Sequence, residues 1–558
     1  MGRASRRWKA VLVVGFLMAS AAWTGTAGAG VDLVSPRTPW RVYLVIAPPV
    51  EGTAADPKPV RNRKMDGPSP LPPADWTQPD FDDGRWARYE ADLFEAVGQY
   101  GHWQSPRAAL LCLRTRFGIE DPSRVKDLDL AVTCRGGAVV YVNGQEVARG
   151  HVPAGPVEPL MLAADYPREA FVTPEGKRLP RSERPAEDFK DRYEKRIRRL
   201  RCKVPRKVLR EGANVLAVEL HRTAMRERAD WSTVGLCGLT LTSASGDGVI
   251  PYERAAGGVH VWNASPMATV SPTADGEMPY RSTWNCGPLA VSPAGLVQGN
   301  PFDPLRPVRM VAPRGGACSG QVVVSAPGGL KHVEATVGSL ARADGKAMPA
   351  EAVRLRYAVQ QTGARYCDAF SPEPAADATV QPVWLLVDVP RDQPPGWYAG
   401  PLAVAANGRE VRVPVQVLVS GWTLPEPGRN RSFVSLLQSP DSVAMQYDVP
   451  PLSADHFARL EHSLALMGQV GNDVLYVPVV HGTHLGHRTG MLRWVRKGDG
   501  WAPDFTAMQR YMDLYEKHCG RPKVVVLCVW KPQYGSKSLF RGAQVKQREP
   551  VVVTELDP

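Results

Sequence analysis

Up to about residue 420 the apolar positions recur in short runs of period two bounded by turn residues, the pattern of half-buried antiparallel strands. Leu111-Cys112-Leu113-Arg114-Thr115-Arg116-Phe117 and Ala213-Asn214-Val215-Leu216-Ala217-Val218 alternate in this way. Val139-Val140-Tyr141-Val142 runs into Asn143-Gly144, a pair suited to the two positive-φ positions of a type I′ hairpin. Further runs at 321–325, 333–337, 353–359, 383–389, 402–405 and 411–419 have the spacing of a second sandwich. Beyond residue 430 the period changes. Three apolar runs, 433–437, 474–480 and 524–529, the last two rich in β-branched residues, alternate with two segments of helical period, the rhythm of a parallel βαβαβ array. The first helix should begin at Ser453, a hydroxyl suited to capping, with Phe457, Leu460, Leu464 and Met467 on one face. The second should start near Asp504 and repeat the pattern with Phe505, Met508, Met512 and Tyr515. The expected fold is multidomain and mainly β: two β-sandwiches followed by an incomplete (β/α) barrel.

Composition supports that division. With 44% hydrophobic and 22% charged residues the chain is of globular type, and Gly 51 with Pro 52 favours turn-rich β domains. Residues 1–29 stand apart. Arg3, Arg6, Arg7 and Lys9 precede an apolar run at 11–22, and Ala27-Gly28-Ala29 offers small residues where a signal peptidase cuts. The run is shorter than the ~20 residues that span a bilayer. A signal peptide at 1–29, a secreted or periplasmic location and no stable membrane span in the mature chain are therefore expected.

The remaining boundaries follow from the pattern. Residues 31–242 form the first sandwich, interrupted by a charged, Pro-containing insertion at 160–205 that reads as a long, partly helical surface loop. Residues 243–304 read as a connector, with little periodicity apart from 259–262. The second sandwich covers 305–420 and the partial barrel 431–558. Nine cysteines lack any Cys-x-x-Cys spacing, so neither a zinc site nor a dense disulfide scaffold is expected, although one or two bridges are allowed. The formal charge of +12 is concentrated at 181–210, where Asp191 and Glu194 are interleaved as on a solvated face. No stacking-aromatic, recognition-helix or zinc-finger signature accompanies it, so nucleic acid is not an expected partner.

Four motifs in the first sandwich, Phe81-Asp82-Asp83-Gly84-Arg85-Trp86, the 111–117 strand, 139–144 and 209–218, resemble the galactose-binding, jelly-roll domains attached to carbohydrate-active enzymes. Physically, Asp82 and Asp83 should bond backbone amides of a turn that delivers Trp86 to the sheet. Trp76, Tyr100 and Trp103 are candidates to stack on a sugar, against a favoured reading as core or edge residues. In the second sandwich, Arg314-Gly315-Gly316 leading into Gln321-Val322-Val323-Val324, Trp384-Leu385-Leu386-Val387-Asp388-Val389-Pro390, and Pro395-Gly396-Trp397-Tyr398-Ala399-Gly400 are similar to the N-terminal sandwich of glycoside hydrolase family 123. Trp422-Thr423-Leu424-Pro425-Glu426-Pro427 resembles that family's stiff joint into the barrel.

In a barrel the chemistry lies in the loops after the strands' C-terminal ends. These loops offer Gln438, His481, His484 and Trp530 as substrate-binding residues. Amide and imidazole groups bond hydroxyls, and an aromatic ring supports a sugar face. The spacing of His481, His484 and His487 admits a metal reading, but a Gly-containing loop without a carboxylate or thiolate is a poor zinc site. No metal and no cofactor is expected. Hydrolysis normally needs two carboxylates ~5–9.5 Å apart. The family resemblance implies an adjacent Asp-Glu pair on a later barrel strand, and none is found here: Asp441, Asp473 and Asp513 are isolated, and Glu555 and Asp557 lie in a tail. Catalytic residues therefore remain unknown.

An eight-fold barrel takes ~250 residues, whereas only residues 431–558 follow the joint, so a C-terminally truncated glycosidase is the expectation. The functional expectation is an exported glycoside-hydrolase-like protein acting on or binding carbohydrate, inactive if the catalytic part of the barrel is missing. The alternative is a non-enzymatic glycan-binding or surface-interaction protein that uses the first sandwich.

Overall fold

The computed structural model describes residues 30–35, 38–60, 67–90, 107–179, 189–226, 234–267, 270, 299–361, 367–429, 431–481 and 489–529. Residues 1–29, where a signal peptide is expected, and Tyr100, Trp103, His484, His487 and Trp530 lie outside the described residues. The protein is multidomain and mainly β. Two compact units can be distinguished, one comprising the chain up to 421 except 313–316, the other 313–316 with 422 onward.

The first unit holds two sandwiches. In the first, β1 (Val31–Val34), β2 (Pro39–Ile46), β3 (Ala87–Glu90), β4 (Ala108–Ile119), β5 (Leu128–Arg135), β6 (Gly137–Val142), β7 (Gln145–Gly150), β8 (Arg198–Lys203), β9 (Gly212–His221), β10 (Gly235–Ser243) and β11 (Val249–Ile250) form two sheets. One sheet has the order β1-β10-β5-β8, and the other β3-β2-β4-β9-β6-β7 with β11 beside β4. Their facing residues, among them Trp40, Leu113, Phe117, Val132, Leu216 and Leu239, form one continuous core. Asn143 and Gly144 both have positive φ (50° and 81°) and join β6 to β7 in the expected hairpin. Burial of Asn143 is compensated by its side chain, which accepts from the Val215 amide and donates to the Val208 carbonyl.

Two expectations for this sandwich need revision, and Trp76 takes the core position favoured for it. The 160–205 insertion carries β8, an edge strand paired antiparallel with β5. Its arginines are structural: Arg196 donates to the Ala170 carbonyl and Arg198 to those of Gly136 and Ala164, stacked over Phe171 and Tyr166. Trp76 is buried with Trp86, Val45 and Cys112 against the outer face of the larger sheet, so it fills core rather than facing a ligand. Strand β4 is buried on both faces, including Arg114, Thr115 and Arg116.

The arginines on β4 are buried because a second polypeptide segment brings carboxylates to them. Asp82 does bond the Gly84 amide, as a turn residue should. Asp83, in contrast, turns inward with its side chain 1% exposed and lies 3.0 Å from Arg114 Nε, Arg116 Nη1 and Arg306 Nη2. Asp303 receives Arg116 at 2.8 Å, Arg88 at 3.1 Å and Arg41 at 3.7 Å. Burial alone would raise the Asp83 carboxyl, but Arg116 and Arg114 outweigh it and hold it below the usual range. Burial pulls Arg88 down to about 9, and its guanidinium lies over Trp262 at 4.9 Å. Asn300 donates to Thr115 Oγ1 and the Arg116 carbonyl, while the Phe302 ring lies where any Cβ on Gly118 would have to go. The 299–306 segment is thus bolted onto β4 just before it enters the second sandwich.

That second sandwich consists of β12 (His260–Ala264), β13 (Val308–Arg314), β14 (Ala317–Ser325), β15 (Glu334–Val337), β16 (Val353–Gln360), β17 (Cys367–Ser371), β18 (Val380–Asp388), β19 (Gly396–Ala406) and β20 (Arg409–Thr423). The sheets have the orders β12-β14-β18-β16-β17 and β13-β20-β19-β15 around one apolar core. Strand β12 arises from the otherwise aperiodic 243–304 stretch and pairs with β14. Among the described residues every cysteine is a free thiol. Burial pushes Cys134 up to about 12 and Cys318 and Cys367 up to about 11, which keeps them protonated and unreactive.

Candidate functional site

The second unit contains helices α1 (Pro440–Tyr447), α2 (Ala454–Gln469) and α3 (Thr506–Cys519). Its strands are β21 (Val474–Pro478), β22 (Arg493–Lys497), β23 (Gly500–Asp504) and β24 (Val524–Cys528). Strands β21 and β24 pair in parallel with Val474 opposite Val524, the expected arrangement for consecutive βα units. Ser453 caps α2 by accepting from the His456 amide, and Phe457, Leu460, Leu464 and Met467 are all buried. On α3 the buried pair is Tyr511 and Tyr515, flanked by Met508 and Met512. Phe505 is exposed, because it precedes the helix and points away from this core. A hairpin, β22 to β23, intervenes between β21 and α3.

Residues 433–437, expected as the first strand, join no sheet among the described residues. Side chains at the start of β21 intercept their amides. Asp473 accepts from the Val434 N–H at 3.0 Å and Asn472 from the Leu436 N–H at 2.7 Å, while the Asp473 N–H donates to the Val434 carbonyl. Asp473 also holds Lys523 at 2.7 Å, and these hydrogen bonds keep its carboxyl below the usual range. This carboxylate is therefore a structural clip at the N-terminal end of β21. Among the described residues, Val524, Val525 and Leu527 of β24 are exposed beside its one parallel neighbour.

At the opposite, C-terminal end of these strands the geometry is more suggestive of a site. Gln438 lies half-buried just before α1, and His481 half-buried in the turn after β21. Asp441, in the first turn of α1, accepts from the Thr489 amide at 3.3 Å, which draws this loop against the segment following β21. Backbone bonds from Met491 to Pro478 and from Leu492 to Val479 fold that segment back, with Gly490 so close to the Val479 carbonyl that a Cβ would lie 2.8 Å from it. Asp441 is thereby tied to the segment that follows β21, with Gln438 three residues before it and His481 at the start of that segment.

One residue that sequence reasoning passed over positions this end. His456 is fully buried: its Nδ1 accepts from the Leu452 N–H at 2.9 Å, so Nε2 carries the proton and donates to the Pro440 carbonyl at 2.8 Å. The ring bridges α2 to the residue immediately before Asp441. Its signal in the sequence is a histidine within an otherwise apolar helical face.

The carboxylates have separate tasks. Asp473 clips the 433–437 segment, Asp513 receives Gln509 one turn earlier on the same helix, and Glu461 joins α2 to α3 through Lys517 and His518. Asp441, in contrast, lies in the first turn of α1 and is tied to the segment that follows β21. No group of three His, Cys, Asp or Glu residues close enough to hold a metal ion occurs among the described residues.

Comparison with known proteins bears on this unit. Residues 437–551 match the family model described as glycoside hydrolase 123, catalytic domain, so this part of the chain is family 123-like. Among solved structures, a family 123 glycoside hydrolase from Clostridium perfringens, studied for glycolipid glycan hydrolysis, aligns at 13% identity and TM-score 0.36, over 47% of this chain and 46% of that one. A family 2 glycosyl hydrolase from Bacteroides cellulosilyticus aligns at 11% identity and TM-score 0.20, covering 79% and 44%. A putative beta-galactosidase from Bacteroides fragilis gives 10% identity and TM-score 0.18, covering 88% and 58%. Likenesses at these TM-scores do not establish a shared fold. The alignment spans less than half the length of the family 123 structure. None of the curated proteins compared matches the chain.

Proposed function

We propose that this chain is an exported, carbohydrate-active protein of glycoside-hydrolase type that holds a sugar at the C-terminal ends of β21 and β24. The observation that supports this reading is the bond that ties Asp441, three residues after Gln438, to Thr489 in the segment that follows β21 and His481, within the stretch that matches the family 123 catalytic domain. Gln438 and His481 would bond hydroxyls. His484 follows His481 in the loop after β21 and Trp530 follows β24 in sequence, and both are proposed as further contacts, Trp530 as the stacking ring. Export is supported by the basic, apolar and small-residue succession of 1–29.

A two-carboxylate cleavage needs partners ~5–9.5 Å apart, and the family resemblance implies that the Asp-Glu pair supplying them lies on a later barrel strand than β24. Residues 431–529 are therefore proposed to recognise sugar without themselves completing hydrolysis. Titration of the purified chain with aryl N-acetylhexosaminides and aryl galactosides tests both statements. Saturable binding, lowered about tenfold by Gln438→Ala or His481→Ala, is expected. Release of the aryl group that disappears in Asp441→Asn would show that a single carboxylate here suffices and overturn the second statement.

A further inference from the structure

The turn that carries Asp82 and Asp83 does more than bolt the first sandwich to the second. Asp82 and Asp83 both hold Arg306, and Gly84 lies so close to that side chain that a Cβ would come within 2.8 Å of Arg306 Cδ. The next residue, Arg85, is exposed and is thereby carried to a pocket of about 430 Å³ at the seam of the two sandwiches. The other walls come from one sheet of the second sandwich: Arg309 on β13, Trp397, Tyr398 and Ala399 on β19, and Gln416 on β20. Ala399 and Gln416 are cross-strand partners, so they meet at the pocket floor. Arg309 Nε donates to Gln416 Oε1 at 3.0 Å, which fixes its guanidinium on this face. Tyr398 is anchored in the core and donates from its hydroxyl to the Pro394 carbonyl, so the adjoining Trp397 projects from a rigid strand with 53% of its surface exposed.

We propose that this pocket is a binding site for a uronic-acid residue of a glycan, separate from the site proposed in the second unit. Three features fit that ligand. The volume lies within the ~300–1,000 Å³ range of small-molecule sites. The six lining residues bring two guanidiniums and no carboxylate. A guanidinium fork matches a planar carboxylate, and an exposed indole matches the apolar C–H face of a pyranose ring. A bare anion would use the arginines and leave Trp397 idle, whereas a neutral sugar would use Trp397 and leave two cations unmatched. The inference shares with the function proposed above only the premise that the ligand is carbohydrate.

Isothermal titration of the full chain with trigalacturonate and with a hyaluronan tetrasaccharide, each beside its methyl-esterified form, tests the assignment. Saturable binding of an acidic form, at least tenfold tighter than its ester, is expected. Trp397→Ala, and separately Arg85→Ala with Arg309→Ala, should each weaken it at least tenfold. These three side chains lie at the surface, and an unchanged melting temperature checks that the variants fold. Gln438→Ala and His481→Ala should leave uronate binding intact, and Trp397→Ala should leave aryl-hexosaminide binding intact, so the two sites fail independently. Absence of binding by both acidic probes, equal binding of the esters, or full binding by Trp397→Ala would overturn the proposal; the last is the signature of diffuse attraction between a polyanion and a basic protein.

Discussion

Replacing Asp83 with Asn tests how the first sandwich tolerates so many buried guanidiniums. Arg41, Arg88, Arg114, Arg116 and Arg306 share Asp82, Asp83 and Asp303, and Asp83 alone touches three of the five at 3.0 Å. The substitution keeps shape and one acceptor oxygen but removes the charge that Arg114 depends on. Breaking a buried pair by removing one partner costs about 3–5 kcal/mol. In a domain of this size that lowers the melting temperature by roughly 6–20 °C, at ~2–4 °C per kcal/mol. The assay is urea and thermal unfolding followed by circular dichroism. The pH dependence carries its own sign. Because the native Asp83 carboxyl sits below its unfolded value of ~3.9, its contribution is complete above that pH and is lost as pH falls through the lowered native value. The gap between wild type and variant should therefore be widest near neutrality and close on acidification. A loss under about 1 kcal/mol at pH 7, or a gap that widens in acid, would refute this account of the network.

Three further substitutions probe local claims. Gly144→Ala forces a side chain into φ +81°, with its Cβ about 2.5 Å from Gln78, and should cost roughly 1–2 kcal/mol in urea unfolding; an unchanged midpoint would contradict the type I′ assignment. His456→Phe fills the same space but strands the Leu452 N–H and Pro440 carbonyl, so a loss of about 1–3 kcal/mol should accompany weaker sugar binding through the displaced Asp441 loop; normal affinity would remove His456 from its positioning role. Asp473→Ala releases the Val434 amide, whose hydrogen exchange should accelerate by roughly an order of magnitude or more, and unchanged protection would mean that other contacts hold 433–437 in place.

Much of the fold was legible because its signals are local. Ser453 with Phe457, Leu460, Leu464 and Met467 defines a capped amphipathic helix by itself, and Asn143-Gly144 defines a hairpin with no information from elsewhere. The second sandwich was read strand by strand for the same reason, although β13 and β17 went unread. Burial of Arg114 and Arg116 was not legible, because polar residues alternating with apolar ones signify a solvated face unless a carboxylate arrives from outside, and Asp303 arrives from nearly two hundred residues away. The same holds for 433–437, whose apolar run is right for a strand while Asn472 and Asp473 take the hydrogen bonds a ladder would have used. The hairpin β22 to β23 was missed despite its cue, Gly498-Asp499-Gly500, and β8 was hidden within a charged insertion. At the candidate site, Gln438 and His481 were put forward from their places after expected strands, whereas the tie between Asp441 and Thr489 and the bridge made by His456 depend on tertiary contacts.

The central claim is sugar recognition at the C-terminal ends of β21 and β24. Calorimetric titration of the full chain with an aryl N-acetylhexosaminide, repeated with Gln438→Ala and His481→Ala, tests it most directly. The account predicts one saturable site that each substitution weakens about tenfold, while Trp397→Ala at the sandwich seam leaves it unchanged. Failure of both the hexosaminide and the galactoside to bind, or binding indifferent to both substitutions, would contradict it.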